Sequence, residues 1–289
     1  LLSTELESRT PGFDPRENGS FLHRTLQLFW SRLAALHPDL STHAALKALP
    51  TEHREQLLIS AIDEALPTRP LHDGPWDLAY LQLQKDRLRF LLLDWLNHEL
   101  ERGPFTILQS ERSELITVGP LTLNVRMDRI DQIPLSPTEP NQPEHGFVYV
   151  DYKTGFRSDP KNWQGPRPDD PQLPLYALTA QPGELQGIVF AKVRPGKDAK
   201  WLGYQAAPGI FPDKRGKSVV FLDEKVDEWR STLTQLAEDF AHGLAHVSPK
   251  DIAINCEHCA QRLLCRLDPA SLLNTIANDD DEATEDNNG

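Results

Sequence analysis

The strongest constraint on the fold is an alternation of apolar and polar residues with a period of two, which indicates β-strands. It is clearest through 121–130, where the apolar face ends at Met127 and the polar face at Asp128. The whole segment 105–153 is predicted to form strands, with breaks at Gly119-Pro120 and in the proline-rich loop 134–145. Further strands are predicted at 186–193 and at 217–222.

Helical periodicity precedes and follows the strands. The segment 14–17 (DPRE) favours a helix start, because Asp serves as N-cap, Pro takes the first helical position and Glu the third. Other helices are predicted at 40–65, at 76–101 and at about 169–180, and a last one after an Asp223 cap. Two apolar stripes have helical spacing (Leu22, Leu26, Phe29, Leu33; and Val226, Trp229, Leu233, Leu236, Phe240, Leu244). Helices around a group of strands predict a layered α/β domain.

Length and composition set broader limits. The 289 residues, 39% of them hydrophobic, suffice for a sizeable core, and no apolar run approaches the roughly 18 residues that span a bilayer. No secretory signal is evident, so we expect a cytoplasmic protein without a membrane partner. The chain begins at Leu1 and its only methionine is Met127, which predicts that it is a fragment of a longer protein.

Charge is concentrated at one end of the chain. The net charge of −13 argues weakly against a nucleic-acid partner, but six acids and no base lie in 279–286. Sites that hold cations also collect carboxylates, so net charge is a poor guide. The patterns divide the chain into an irregular end (1–15), a helical region (16–104), an α/β core (105–249), a cysteine-containing segment (250–268) and an acidic, disordered tail (269–289).

Two acids and a lysine lie at the ends of two predicted strands. Asp151 and Lys153 share a strand face and lie roughly 7 Å apart, and Asp128 ends the polar face of the preceding strand. Carboxylates hold Mg²⁺ or Mn²⁺, and a nearby lysine can orient or deprotonate a water or stabilise charge on a phosphate. From spacing alone, ordinary strand-end acids and a solvated lysine are the better explanation, because D-x-K is a weak pattern.

Several ordered motifs resemble those of the PD-(D/E)xK nuclease superfamily, and more closely the RecB- and AddB-type nuclease domains of bacterial helicase–nuclease repair machines. They are RMDRID at 126–131, VDYKTG at 150–155, His23 within RENGSFLHRTLQLFW, and Gln172 and Tyr176 within DPQLPLYAL. The resemblance spans about 16–267. It implies a restriction-endonuclease-like core at 105–249, in which helices flank a central mixed β-sheet, with a helical annex carrying His23.

The resemblance also implies roles for individual residues. Asp128, Asp151, His23 and the backbone carbonyl of Tyr152 would hold Mg²⁺ or Mn²⁺, and Lys153 would act on the water or the transition state. Gln172 and Tyr176, at i and i+4 of one helix face, would contact the substrate backbone or support the lysine.

Other polar residues near these motifs have less definite roles. Either Glu111 or Glu114 supports the site from behind its ligands, or both are plain surface residues. Arg129 and Asp131 are interpreted as a structural ion pair. Phosphate pairing and base stacking on DNA are predicted for four residues, each of which is equally compatible with an ordinary surface position: Arg126, Arg157, Lys161 and Trp163.

Three cysteines lie within ten residues, at Cys256, Cys259 and Cys265, and this spacing indicates soft-metal or cluster ligation. The resemblance implies a [4Fe–4S] cluster whose fourth cysteine lies upstream of the first residue given. Zinc is the alternative, with a histidine as fourth ligand (His242, His246 or His258). Three free thiols are the third interpretation, especially for a fragment.

The leading functional hypothesis is a metal-dependent DNA exonuclease for DNA repair and recombination, acting on single strands delivered by a helicase subunit or helicase-like domain. An inactive nuclease-like module that binds DNA or serves as a scaffold is the second hypothesis. The third, a zinc-binding interaction domain, depends on the cysteines alone.

Overall fold

The computed structural model describes residues 13–66, 75–135, 143–213, 218–256 and 259. Predictions for the N-terminal end up to residue 12, for His258, for Cys265 and for the acidic tail fall outside these residues. The chain divides into two compact units, one spanning Pro11–Glu238 and the other comprising Leu1–Thr10 with Asp239–Gly289. The sheet and the predicted catalytic residues all lie in the first unit.

A five-stranded mixed sheet is the centre of the described fold, with strand order β1-β2-β3-β4-β5. Neighbouring strands are antiparallel except for the parallel pair β3 and β4. The strands are β1 (Thr106–Val118), β2 (Leu121–Pro134), β3 (His145–Lys153), β4 (Leu185–Lys192) and β5 (Lys200–Gln205). This confirms the predicted mixed sheet, including the break between β1 and β2 at Gly119-Pro120.

Two strand predictions need correction. Edge strand β5 was not predicted. Of the predicted strand 217–222, residue 217 lies outside the described residues, 218–221 contain an isolated bridge between Val219 and Gln205, and Leu222 is helical. Gly203 interrupts the apolar pattern of β5. Close packing against β4 requires a glycine at this position. A Cβ on Gly203 would lie 2.0 Å from the carbonyl oxygen of Ile188 on β4.

Helices surround the sheet, and none in the described part of the chain combines the length and apolar character needed to span a membrane. The capping box before α1 is confirmed, since the Asp14 carboxylate accepts a hydrogen bond from the Glu17 backbone N–H at 2.7 Å. The α-helices are α1 (Pro15–Leu36), α2 (Thr42–Ala48), α3 (Thr51–Ala65), α4 (Pro75–Leu100), α5 (Gln172–Ala177), α6 (Leu222–Ala241) and α7 (Ile252–Cys256).

The prediction for α6 was wrong at both ends. The helix begins at Leu222, so Asp223 lies in its first turn and accepts a hydrogen bond from the Gly183 backbone N–H at 3.1 Å instead of capping. The predicted apolar stripe extends too far, because Phe240 is exposed and Leu244 lies beyond the last helical residue.

The two faces of the sheet support separate apolar layers. On one face, α1 to α4 pack against β3 residues Val148, Val150 and Tyr152. On the other face, α5 and α6 pack around Tyr149 of β3 and Phe190 of β4. The alternation predicted along 147–153 is therefore confirmed, and the fold is an α/β sandwich with helices on both sides of the sheet.

A buried ionic cluster lies within the layer under α1 to α4. Arg129 on β2 contacts Asp131 at 2.5 Å, Glu99 on α4 at 2.7 Å and the Tyr152 hydroxyl on β3 at 2.7 Å. Arg102 contacts Asp131 at 2.7 Å. The predicted Arg129–Asp131 ion pair is confirmed, and the structure adds Glu99 and Arg102 to it.

We expect Arg129→Met to lower the free energy of unfolding by about 3–5 kcal/mol, because Glu99 and Asp131 would keep buried charges with too few partners. Chemical unfolding with urea measures the change. Arg230→Met, which replaces an arginine on the surface of α6, is the control and should change stability by less than about 0.5 kcal/mol. Equal effects of the two substitutions would contradict the interpretation of the cluster.

Candidate active site

The register between β2 and β3 brings the two predicted acids together. Arg129 lies opposite Val150 in the antiparallel pair, so Asp128 and Asp151 are the next residues on each strand. Both side chains are buried, and Asp128 Oδ2 accepts a hydrogen bond from the Tyr152 backbone N–H at 2.9 Å. The two acids of the sequence motifs therefore occupy adjacent strands at one end of the sheet.

Helix α1 adds an imidazole to these carboxylates. His23 lies beside the apolar stripe that seats α1 on the sheet, and its Nε2 is 3.0 Å from the Tyr152 carbonyl oxygen. Its Nδ1 lies 3.4 Å from Glu111 Oε1 and 3.4 Å from Asp128 Oδ1. The predicted ligands His23, Asp128 and the Tyr152 carbonyl are thus neighbours in the structure.

Of the two glutamates left undecided by the sequence, Glu111 on β1 lies at this site and Glu114 does not. The Glu111 side chain is only 7% exposed and forms an ion pair with Arg126. Its φ of 55° is unusual for a residue other than glycine, and such backbone strain concentrates at functional sites. From Gln109 to Val118 the register of β1 against β2 is constant, with Ser110 opposite Arg129 and Arg112 opposite Met127, so Glu111 lies level with Asp128. Counting back along both strands from the break at Gly119-Pro120 was therefore the sequence signal that could have selected Glu111 over Glu114.

Crowding of acids in a buried place shifts the pKa values of the site. Burial and the Asp128 carboxylate raise the pKa of Asp151 to about 7, against the opposing effects of Lys153 and His23. Burial lowers the pKa of His23, but hydrogen bonds to Asp128 and Glu111 outweigh it and raise that pKa to about 10. The site therefore favours positive charge.

The donor set fits a divalent metal ion. Donor atoms of His23, Glu111 and Asp128 all lie within 4.8 Å of one another, a spacing that one ion can bridge. Carboxylate oxygens, a backbone carbonyl and an imidazole are ligands suited to Mg²⁺ or Mn²⁺. A cation there would also offset the negative charge that raises the pKa of Asp151.

Lys153 is held by polar partners on two sides. Its Nζ lies 2.8 Å from Asp151 Oδ2 and donates a hydrogen bond to Gln172 Oε1 at 3.3 Å. Gln172 Nε2 in turn lies 3.1 Å from the hydroxyl of Tyr176, which is buried. Of the two roles predicted for Gln172 and Tyr176, this arrangement favours support of the lysine over contact with the substrate backbone.

These side chains line an open cleft of about 640 Å³. Of the four residues predicted to contact DNA, Arg126 lines the cleft and is 65% exposed, whereas Arg157 and Lys161 are exposed but do not line it. The prediction for Trp163 was wrong, because its side chain is fully buried and cannot stack on a base. Packing decides this, since Trp163 lies against Phe190 and Trp229.

Sequence reasoning missed two arginines of α1 that line the cleft, Arg16 and Arg24. Helical spacing offered a signal for Arg16, which lies seven residues, or about two turns, before His23 on the same helix, but not for Arg24, which directly follows His23. The cleft is therefore lined by more cations than the predicted set contained.

The cysteine segment belongs to the second compact unit. Cys256 ends α7 and is buried, and the Cys259 backbone N–H donates to the Cys256 carbonyl at 3.3 Å. Neither of these two cysteines forms a disulfide with a described residue. Cluster or zinc ligation therefore stays a prediction.

We expect Glu111→Gln to weaken Mn²⁺ binding by about tenfold or more, because a charged group at the candidate metal site is lost. Isothermal titration calorimetry measures the affinity. Glu114→Gln is the matched control, three residues away on the same strand, and should bind Mn²⁺ as the unmodified chain does. Identical affinities for the two variants would exclude Glu111 from the metal site.

Comparison with known proteins identifies the family. A search of the curated proteins found no match to the chain. A family model described as the PD-(D/E)XK nuclease superfamily matches residues 2–266, which is most of the chain. The mixed sheet with flanking helices is consistent with the restriction-endonuclease-like fold of that superfamily. The chain therefore belongs to the PD-(D/E)XK nuclease superfamily.

Proposed function

We propose that this protein is a metal-dependent DNA nuclease, acting as an exonuclease on single strands in DNA repair and recombination. The superfamily supports a nuclease that uses divalent metal ions. The observation that carries the proposal for this chain is the convergence of Asp128, Asp151 and Lys153 at one end of the sheet, beside His23 and Glu111. A nuclease-like module without activity usually lacks some of these groups, and here all of them are present.

The metal ligands in this proposal are Asp128, Asp151, His23 and the Tyr152 carbonyl, with Glu111 as an addition from the structure. When bound, Mg²⁺ or Mn²⁺ acts as a Lewis acid, lowering the pKa of a water and neutralising charge on the phosphate. His23 must lose the proton that its raised pKa retains before it ligates a metal.

Lys153 acts on the phosphate as a cation. Burial lowers its pKa, but the Asp151 carboxylate outweighs burial and raises it, so the ammonium keeps its proton at neutral pH. A protonated lysine donates hydrogen bonds to phosphate oxygens and stabilises the negative charge that develops there. Gln172 holds the Nζ atom, and Tyr176 holds Gln172.

Asp151→Ala and Lys153→Ala should each lower the rate of DNA cleavage by roughly 100-fold or more, because each removes a charge that acts on the reacting phosphate. Cleavage of labelled DNA is measured with Mg²⁺, with Mn²⁺ and with EDTA. Lys161→Ala removes an exposed lysine outside the cleft and should leave the rate unchanged.

The mode of cleavage has its own test. An exonuclease needs a strand end, so linear single strands should be degraded while circular single strands of the same length stay intact. Degradation of circles would contradict the exonuclease part of the proposal and leave the nuclease part standing. Folded protein that cuts neither substrate with either metal would favour the alternative function, a DNA-binding or scaffolding module.

The finer assignments rest on the resemblance to RecB- and AddB-type domains. We propose a helicase subunit or helicase-like domain as the partner, and a [4Fe–4S] cluster held by Cys256, Cys259 and Cys265. Such a cluster needs four ligands and the sequence contains three cysteines, so the proposal leaves the fourth ligand unassigned. Iron, sulfide and zinc analysis of the purified protein distinguishes a cluster from a zinc site.

A further inference from the structure

A second cavity, of about 680 Å³, adjoins the active-site cleft, and Thr154 and Gly155 line both. We call this second cavity the apolar groove. It lies between α1, α4 and the segments that follow β3 and β4. Most of its lining is apolar, with two arginines and one acid, Asp94. Four phenylalanines line it, Phe13, Phe21, Phe90 and Phe156, and the two arginines are Arg87 and Arg194.

Phe156 lines the groove and follows Lys153, the proposed catalytic lysine, by three residues. Its side chain is 76% exposed, although a phenylalanine of an ordinary fold is usually buried. Its backbone carbonyl accepts a hydrogen bond from Nζ of the buried Lys192 at 2.9 Å. The Arg194 guanidinium lies 3.1 Å from the ring centroid and covers one face. The ring is thus held in place while remaining open to solvent.

Helix α4 contributes a second exposed aromatic ring and a second arginine to the groove. Phe90 is 64% exposed, and Arg87 lies three residues before it on the same helix face. Among the described residues, Arg87 is exposed and has neither a hydrogen bond nor an ion pair. Among the described lining residues, Arg87 and Arg194 outnumber the one acid, Asp94, so this part of the lining is net positive.

We propose that the apolar groove binds single-stranded nucleic acid next to the phosphate being cut, with a base stacked on Phe156 and phosphates paired with Arg87 and Arg194. Exposed aromatic rings interleaved with cations are the means by which proteins hold unpaired strands. Bases in a duplex are stacked on their neighbours and cannot offer a free face to a side chain. The opening into the catalytic cleft at Thr154 and Gly155 favours a substrate strand over a protein partner as occupant.

This inference deepens the proposed nuclease function and rests on it for the identity of the strand. Its test measures binding instead of cleavage, so that the two can fail separately. Fluorescence anisotropy of a labelled oligothymidylate is measured with Ca²⁺ and with every variant carrying Asp151→Asn to prevent cleavage. A labelled duplex of the same length is measured in parallel.

Phe156→Ala should weaken oligothymidylate binding by about tenfold, because loss of one stacking platform removes one base contact. Phe156→Trp should retain the affinity, since an indole also stacks. Phe221→Ala is the matched control, because Phe221 is 79% exposed and does not line the groove. It should bind as the parent does, and duplex affinity should be the same for all of these variants.

Arg87→Ala should reduce the slope of log affinity against log salt by about one, since one phosphate contact is lost, while Phe156→Ala should leave that slope unchanged. Unchanged oligothymidylate affinity in Phe156→Ala, or an equal loss in Phe221→Ala or with duplex, would overturn the groove proposal. If Phe156→Ala weakens binding but the unmodified protein cuts no DNA, the groove proposal stands and the nuclease proposal fails.

Discussion

The buried guanidinium of Arg129 ties together the elements that carry the active site. It joins α4 through Glu99, β2 through Asp131 and β3 through the Tyr152 hydroxyl. Asp128 directly precedes Arg129, and Tyr152 lies between Asp151 and Lys153. Because successive side chains of a strand point to opposite faces, the same strands present the ionic cluster to one side and the catalytic groups to the other. The cluster therefore fixes the register on which the metal site depends.

The proposed catalytic groups come from distant parts of the chain, and burying their carboxylates together is electrostatically unfavourable. Glu111, Asp128 and Asp151 lie close together in a buried place, where negative charges repel one another and lack water. Without a metal, His23 and Lys153 supply the compensating positive charge, which explains their raised pKa values. A divalent cation would supply the same compensation, and the site is then ready to receive a phosphate.

In the proposed function, the two adjoining cavities separate chemistry from strand binding. The cleft around Lys153 contains the charged groups that are proposed to act on one phosphate. The apolar groove offers rings and arginines, which in this proposal hold a flexible strand without reading its sequence. Thr154 and Gly155 line both cavities, and Lys192 Nζ donates a hydrogen bond to the carbonyl of Phe156, which directly follows Gly155.

The sequence alone determined the features that depend on local periodicity. Strand alternation placed Asp151 and Lys153 on one face, and the capping box fixed the start of α1. Contacts between distant segments needed the tertiary structure. Only packing decided that Trp163 is buried and that β5 completes the sheet, and only the fold brought His23 of α1 beside Glu111 and Asp128. The reason is physical: backbone geometry sets which residues share a face, but the burial of that face depends on what packs against it.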